Sequence, residues 1–490
     1  MMQSAQLRGN DRYEKSGLPH LRHLPVLKFF ARYPIFLLFL GPPIFRPVAG
    51  IDATKGHIDI WSFLQAGLLS WISLRAINRL TTAQFIAIPR QIRSILRLAF
   101  FLGLLFVISV AYSPSRLVAA TYSFFYFLTL ICVVEFVDDV YRTPPNWMQC
   151  LFQLRFSALL LLAVTMLTLA INPSLILNAL GEYRMRIHGG AVAPLGLICP
   201  VIAIISAYTF LHSLESRTRA AFFFLVALGG TAATQSRGTE IALFISLLLT
   251  ATGWARTNRR AGYMVIFGFM ASIILGGALV GAIGGARIWN TFNRGQSAEG
   301  IASASGRTEI WKFVIQYCMS HPQGMGYVTG FRTIFREYSA PGLDLAVSHI
   351  GTTHNTFLQF LADAGWLALA IYLILLVRVL ALGLRFATKR ISTPSVTASL
   401  SRHALRCALL LFILCLLEGM DGSDFAVPLK VPFYFQNIIV AIILGVSANM
   451  LYASRIRQIY GGNQLRPIDG NLRPCHCDAE ETPGKAIGRF

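Results

Sequence analysis

The chain has 490 residues, 55% of them hydrophobic and only 13% charged, with mean hydropathy +0.58 and a formal net charge of +21. A soluble protein would carry about a quarter charged residues, and no soluble basic domain is present to carry nucleic-acid binding, so both classes fall away. Apolar runs of about 17–25 residues recur instead, each able to cross a bilayer as a helix.

The N-terminus is polar and basic (Arg8, Arg12, Lys15, Arg22, Lys28, Arg32), so no cleavable leader is expected. The predicted spans are Tyr33–Ala49, Ile58–Leu74, Ile95–Ala111, Leu117–Val137, Leu151–Ile171 and Ala191–Leu211. Ala220–Thr234, Gly238–Trp254, Tyr263–Gly285, Gly365–Leu384, Ala404–Gly419 and Val431–Ala453 follow. The expectation is an all-α polytopic membrane protein with about twelve transmembrane helices. It divides into a basic N-terminus (1–32), nine spans (33–285), a large outer loop (286–364), three spans (365–453) and a disordered tail (454–490).

Cytoplasmic loops concentrate Lys and Arg. Arg75, Arg79, Arg90, Arg93 and Arg97 mark the second connection, and Arg142, Arg217, Arg219, Arg256, Arg259, Arg260, Arg385, Lys389, Arg390 and Arg402 mark later even-numbered ones. Both termini are then cytoplasmic, and the excess charge also attracts anionic headgroups. Odd-numbered connections should be poor in Arg, and the last of them, EGMDGSDFAVP, is acidic. Three break the pattern: Arg184 and Arg186 in GEYRMRIHGG, Arg237 in TQSRGTE, and Arg307 in SGRTEIW. Guanidinium groups gripping a phosphate or carboxylate would explain such placement. Pairing with Glu182, Glu240 and Glu309, or snorkelling, is the plainer alternative.

The eight cysteines do not read as a disulfide framework. Cys132, Cys199, Cys407 and Cys415 lie inside apolar runs as small core residues. Cys475-His476-Cys477 lacks a second cluster to complete a tetrahedral metal site. Arg378, the one charge deep in the tenth span, lies near its cytoplasmic end and can snorkel.

In the outer loop, Ile310, Trp311, Val314, Ile315 and Cys318 recur at helical spacing, which predicts a short amphipathic helix at the membrane interface with Trp311 at headgroup level. HPQGMGY ends it; Gly324 and Gly326 fit a tight turn, or a phosphate cradle. The stretch SHIGTTHNTFLQFLADAGW then leads into the tenth span. If a helix begins at Thr353, Asn355, Gln359 and Asp363 share a face beside His354. Helix N-termini favour anions and neutral imidazole. His354 is therefore a candidate base acting on a phosphorylated, membrane-borne substrate, with helix capping by His354 and Asn355 as the plainer reading.

Three segments carry a family resemblance: SRGTEIALFISLLL (236–249), GRTEIWKFVIQYCMSHPQGMGY (306–327) and HNTFLQFLADAGWLALAIYLILL (354–376). In order, spacing and expected side they resemble the O-antigen ligase and O-antigen polymerase family of bacterial inner-membrane proteins, over about residues 180–385. The resemblance implies an all-helical membrane glycosyltransferase working on the periplasmic face. It would be inverting and metal-independent, with no cofactor and an undecaprenyl-diphosphate-linked glycan as donor. The acceptor would be lipid A-core for a ligase, or a lipid-linked glycan for an O-antigen or exopolysaccharide polymerase; the single large outer loop favours the ligase. Matched residue by residue, Arg237 and Arg307 would hold the donor diphosphate and His354 would activate the acceptor hydroxyl. Arg184 or Arg186 would add a contact, although HGGAVAPLG follows them where an Asn-rich stretch is expected. Asn355, Gln359, Gly324 and Gly326 would support the site. A transporter of an anionic glycolipid, or a membrane receptor or scaffold, are readings of other classes; no internal repeat supports the first.

Overall fold

The computed structural model describes residues 25–38, 60–82, 88–142, 144–171, 192–234, 236–255, 307–339, 353–388, 396–422, 425–428 and 430–461. Every regular element among them is helical. In chain order they are α1 (Pro25–Arg32), a 3₁₀ turn (Pro34–Phe36), α2 (Ile60–Thr82), α3 (Arg90–Ser109), α4 (Arg116–Arg142), α5 (Trp147–Ile171), α6 (Val192–Leu211) and α7 (Arg217–Thr234). Next come α8 (Arg237–Ala255), α9 (Arg307–Ser320), α10 (Gly330–Ser339), α11 (Thr356–Thr388), α12 (Val396–Asp421) and α13 (Val431–Gly461). Among the described residues α3, α4, α5, α8, α11, α12 and α13 are long and apolar enough to cross a membrane, and Gly196–Leu211 is apolar but shorter. The chain is an all-α polytopic membrane protein.

Helices outlast their apolar runs where polar turns continue them: α2 runs on through Arg75 and Arg79 to Thr82. The first predicted span needs correction at its start. Pro34 lacks the N–H that would continue α1, so Tyr33 closes that helix and a 3₁₀ turn replaces it. The rest of that span, the ninth span, Arg184, Arg186 and the Cys475-His476-Cys477 tail lie outside the described residues.

Up to Asn449 the chain forms one compact unit. The main helix contacts join α6 to α7 and α5, α11 to α3 and α12, α2 to α4, and α8 to α12 and α6. The α13 span is the most enclosed, with 89% of its apolar window buried, as expected of a helix hydrophobic all round. Cys132, Cys150, Cys199, Cys407 and Cys415 are buried free thiols, as small core residues should be.

Polar contacts sort to two ends. At one, Arg79 pairs with Glu135, Arg155 with both carboxylate oxygens of Glu215, and Arg32 with Asp139 at 3.9 Å. There too Arg378 donates to Ser94 Oγ at 3.2 Å, and Arg406 to the Ala387 carbonyl at 3.0 and 3.2 Å. These groups belong to the C-terminal parts of α2, α4 and α11, the N-terminal parts of α3, α5 and α12, and the α6–α7 turn. At the other end Tyr112 donates to the Gln323 carbonyl at 2.6 Å, Ser113 meets Thr329 at 3.2 Å, and Tyr327 Oη donates to the Ala426 carbonyl at 3.1 Å. That end gathers the α3–α4 and α12–α13 turns, α9, α10 and the start of α11.

Candidate functional site

The α9 helix ends at Ser320, two residues before Pro322, which cannot continue it. Its apolar row of Ile310, Val314 and Cys318 is fully buried against α10 and α11 with Met325, Phe331 and Leu361. Along that row the predicted interfacial helix is covered by protein, while Ile315 and Met319 are exposed at 42% and 73%. The Trp311 indole N–H donates to the Thr353 carbonyl at 3.0 Å. That bond ties the first turn of α9, which Arg307 opens, to the turn that carries His354. Arg307 and Trp311 lie four residues apart, on one helix face.

The segment after α9 plugs a break in α11. Helical geometry fails at Ala364 and Gly365, so the stretch from Thr356 to Thr388 is two helical pieces meeting at a kink. The carbonyls of Ala362 and Asp363 accept instead from Met325 N at 2.6 Å and Gly326 N at 3.1 Å, while Trp366 N donates to the Pro322 carbonyl at 3.1 Å. A Cβ on Gly365, whose φ is +78°, would stand 2.0 Å from Pro322 O; one on Gly324, at φ +87°, would stand 2.6 Å from Gly365 N. The tight-turn reading of HPQGMGY is the one observed. Gly326 N is committed to Asp363 O and Gly324 N to His321 O, so those two amides are not presented to a phosphate.

His354 sits before the helix rather than in its first turn. Asn355 is the cap, its Oδ1 accepting from Phe357 N at 2.9 Å and Leu358 N at 3.1 Å, and its Nδ2 donating to the Met420 carbonyl at 3.1 Å. His354 is partly buried, with φ +53°, and Val328 stands at +64°, a conformation that a β-branched residue seldom adopts. Both turns are held by one buried relay. Gln359 Oε1 accepts from Thr353 N at 3.1 Å, Gln359 Nε2 donates to Asp363 Oδ1 at 2.8 Å, and the same Oδ1 accepts from Val328 N at 3.0 Å. Gln359 and Asp363 are 1% and 0% exposed. Gln359 and Asp363 do share a face, as read from the sequence, and that face points inward.

Below the relay, Tyr327 stacks on Phe106 at 3.9 Å, and Phe360 on Tyr372 at 3.9 Å. Burial, with the nearby Asp363 and Cys318 adding to it, pushes the Tyr112 hydroxyl up to about 12, so it remains a donor. Burial likewise raises the Cys318 thiol to about 12; its Sγ lies 3.6 Å from the Leu361 carbonyl. Among these residues, Asp363 and Trp311 carry roles that sequence reasoning missed. The signal for Asp363 was present, a carboxylate inside the apolar run FLADAGW. Glu418, buried near the end of α12 beside the Gly419–Thr356 contact, was missed too, although LEGMD interrupts an apolar run.

Arg237 opens α8 directly after Ser236, whose hydroxyl bonds Thr239. Its backbone lies at the same end of the bundle as His354. A Cβ on Gly196 would meet Thr239 Oγ1 at 2.8 Å, and Gly196 is near the start of α6, whose other end carries Tyr208 to His403 at the basic end. Arg307 opens α9 one turn before Trp311, whose indole bonds the Thr353 carbonyl.

A family model described as O-antigen ligase matches residues 222–373. The match begins in α7, takes in α8, α9 and α10, and ends inside α11, so it spans Arg237, Arg307 and His354. No curated protein matches the chain. The family comprises glycosyltransferase-like ligases and polymerases that act on lipid-linked glycans in a membrane. Over residues 222–373 the chain is similar to the O-antigen ligase family.

Proposed function

We propose that the chain is an O-antigen ligase-like glycosyltransferase that moves a polysaccharide from undecaprenyl diphosphate to a hydroxyl of lipid A-core on the periplasmic face of the inner membrane. The observation that carries this reading is the Trp311–Thr353 hydrogen bond, which gathers the Arg307 end of α9 and the His354 turn at the end of the bundle opposite the arginine-rich one. The positive-inside rule assigns that arginine-rich end to the cytoplasm and hence the site to the periplasm.

The acceptor hydroxyl oxygen attacks the anomeric carbon and its proton passes to the His354 imidazole. The bond from that carbon to the diphosphate oxygen breaks with inversion, and undecaprenyl diphosphate leaves with the electron pair. Arg307 and Arg237 stabilise the charge that accumulates on the departing diphosphate, where fixed cations are most effective. The His354 backbone is held in a left-handed turn by the bonds of its neighbours Thr353 and Asn355, so the turn need not be ordered when substrate arrives. No metal or other cofactor enters this scheme.

Deleting the chromosomal copy and expressing His354→Ala tests it. The reading expects the variant to insert at normal abundance and to leave free core with accumulated lipid-linked polymer. Core bearing a single repeat would make the chain a polymerase of the same family. Normal surface glycan in both strains would remove the transferase reading.

A further inference from the structure

The arginine-rich end holds a second cluster of polar side chains. Tyr208 Oη and His403 Nδ1 are 3.0 Å apart, and the rings of His212 and His403 lie 4.9 Å apart. Arg402 and Arg406 stand one turn apart on α12, flanking His403. Arg406 spends Nε and Nη2 on the Ala387 carbonyl. Arg402 Nε and Nη2 are buried and meet no acceptor among the described residues. Buried guanidinium N–H groups rarely lack an acceptor. Glu215, in the α6–α7 turn, is engaged by Arg155 and Thr209. The adjoining connections offer none, since 389–395 reads KRISTPS and 256–262 reads RTNRRAG.

An apolar cavity of about 280 Å³ opens between α6, α7 and α8, lined by Ala207, Phe210, Leu211, Ala221, Phe224 and Leu247. Ala207 and Leu211 precede Tyr208 and His212 directly, so cavity and cluster share the last two turns of α6. A cation pair beside an apolar slot fits a molecule with an anionic head and an acyl tail.

We propose that Arg402, Arg406, His403 and His212 bind the phosphate of an anionic phospholipid at the end of the bundle opposite His354, with an acyl chain in the cavity between α6, α7 and α8. The bound phosphate supplies an acceptor for Arg402, whose Nε and Nη2 have none among the described residues. The shared chemistry is a phosphate group, and the apolar slot beside it selects a lipid over a free ion. The site stands independently of the transferase reading.

The test is thermal unfolding of the purified full chain in detergent, titrated separately with phosphatidylglycerol, phosphatidylcholine and inorganic phosphate. Phosphatidylglycerol is expected to raise the unfolding temperature, and phosphatidylcholine and inorganic phosphate are not. Arg402→Gln should weaken the apparent phosphatidylglycerol affinity about tenfold, the scale of one lost hydrogen bond between charged groups. Ala207→Phe, which fills the slot, should weaken it while leaving the cationic cluster intact. Equal shifts in wild type and both variants would overturn the site. An equal shift with inorganic phosphate would overturn the lipid assignment. Native mass spectrometry of the wild-type chain with the two lipids in competition gives a readout that does not need the variants to fold, and equal retention of both lipids there overturns the proposal.

Discussion

Gln359 Nε2 donates to Asp363 Oδ1 at 2.8 Å, and through these two side chains the backbone before His354 is tied to the backbone of Val328, the two left-handed non-glycine residues of the candidate site. Neither turn would keep its conformation without support, because an αL residue costs about 1–2 kcal/mol. Asp363→Ala would leave Val328 N–H and Gln359 Nε2 buried without acceptors, at about 1–3 kcal/mol each. We expect a lowered unfolding temperature and a loss of transfer that falls mainly on kcat. Asp363→Asn, which keeps an oxygen for Val328 N–H, should recover part of the rate. Unchanged kcat in the alanine variant would show that the relay does not position His354.

Gly365 offers a sharper structural test. Its φ is +78° and an added Cβ would sit 2.0 Å from Pro322 O, so Gly365→Ala should collapse the seating of the 322–326 turn in the α11 break. Low abundance in the membrane is the expected outcome. Gly229 in α7 is the control: a methyl group added there would have no heavy atom within 4 Å, so Gly229→Ala should be neutral, or stabilising by about 0.5–1 kcal/mol. Wild-type abundance for Gly365→Ala would contradict the close packing described.

Those two variants also mark how much was legible in the sequence. The helices were legible because a bilayer leaves the backbone few alternatives, and apolar runs long enough to cross it stand out. The Arg307 and His354 candidates were legible because they lie where the charge rule does not expect them. What Trp311, Asp363 and Gly365 do was not. Trp311 meets Thr353 across 42 residues and Val328 meets Asp363 across 35, and no local periodicity encodes such pairings. The apolar row of α9 shows the same limit. Helical spacing reveals that a face is covered, without saying whether lipid or α11 covers it. Pro34 was a readable stop, outweighed by the apolar residues after it.

The His212 ring supplies a pH test at the opposite end. Burial first, then His403 and Arg406, lower its pKa from 6.5 to about 4. Between those values the unfolded chain binds the proton and the folded chain does not, so stability is fully present above about pH 6.5 and declines as pH falls toward 4. The ring is only half buried, which reduces the effect. The expected result, in detergent without added lipid, is an unfolding temperature that falls from pH 7 to pH 5, with a shallower fall in His212→Gln. Parallel profiles for the two proteins would remove His212 as a source of the dependence.

The Trp311–Thr353 bond can be cut with little disturbance. Trp311→Phe keeps an aromatic ring on α9 and removes the N–H donor, which contributes about 1 kcal/mol to stability. The Thr353 carbonyl then loses the contact that ties the His354 turn to the Arg307 end of α9. On the proposed mechanism, ground-state binding of the lipid-linked donor rests on the arginines and should change little. The alignment of imidazole, acceptor hydroxyl and departing diphosphate matters only as the bond to the anomeric carbon breaks, so the loss belongs in kcat. Steady-state transfer assays in detergent or proteoliposomes should show kcat reduced about tenfold or more with KM nearly unchanged. A raised KM with intact kcat would instead make the tryptophan part of the substrate-binding surface, and the Arg307–His354 juxtaposition would no longer account for the chemistry.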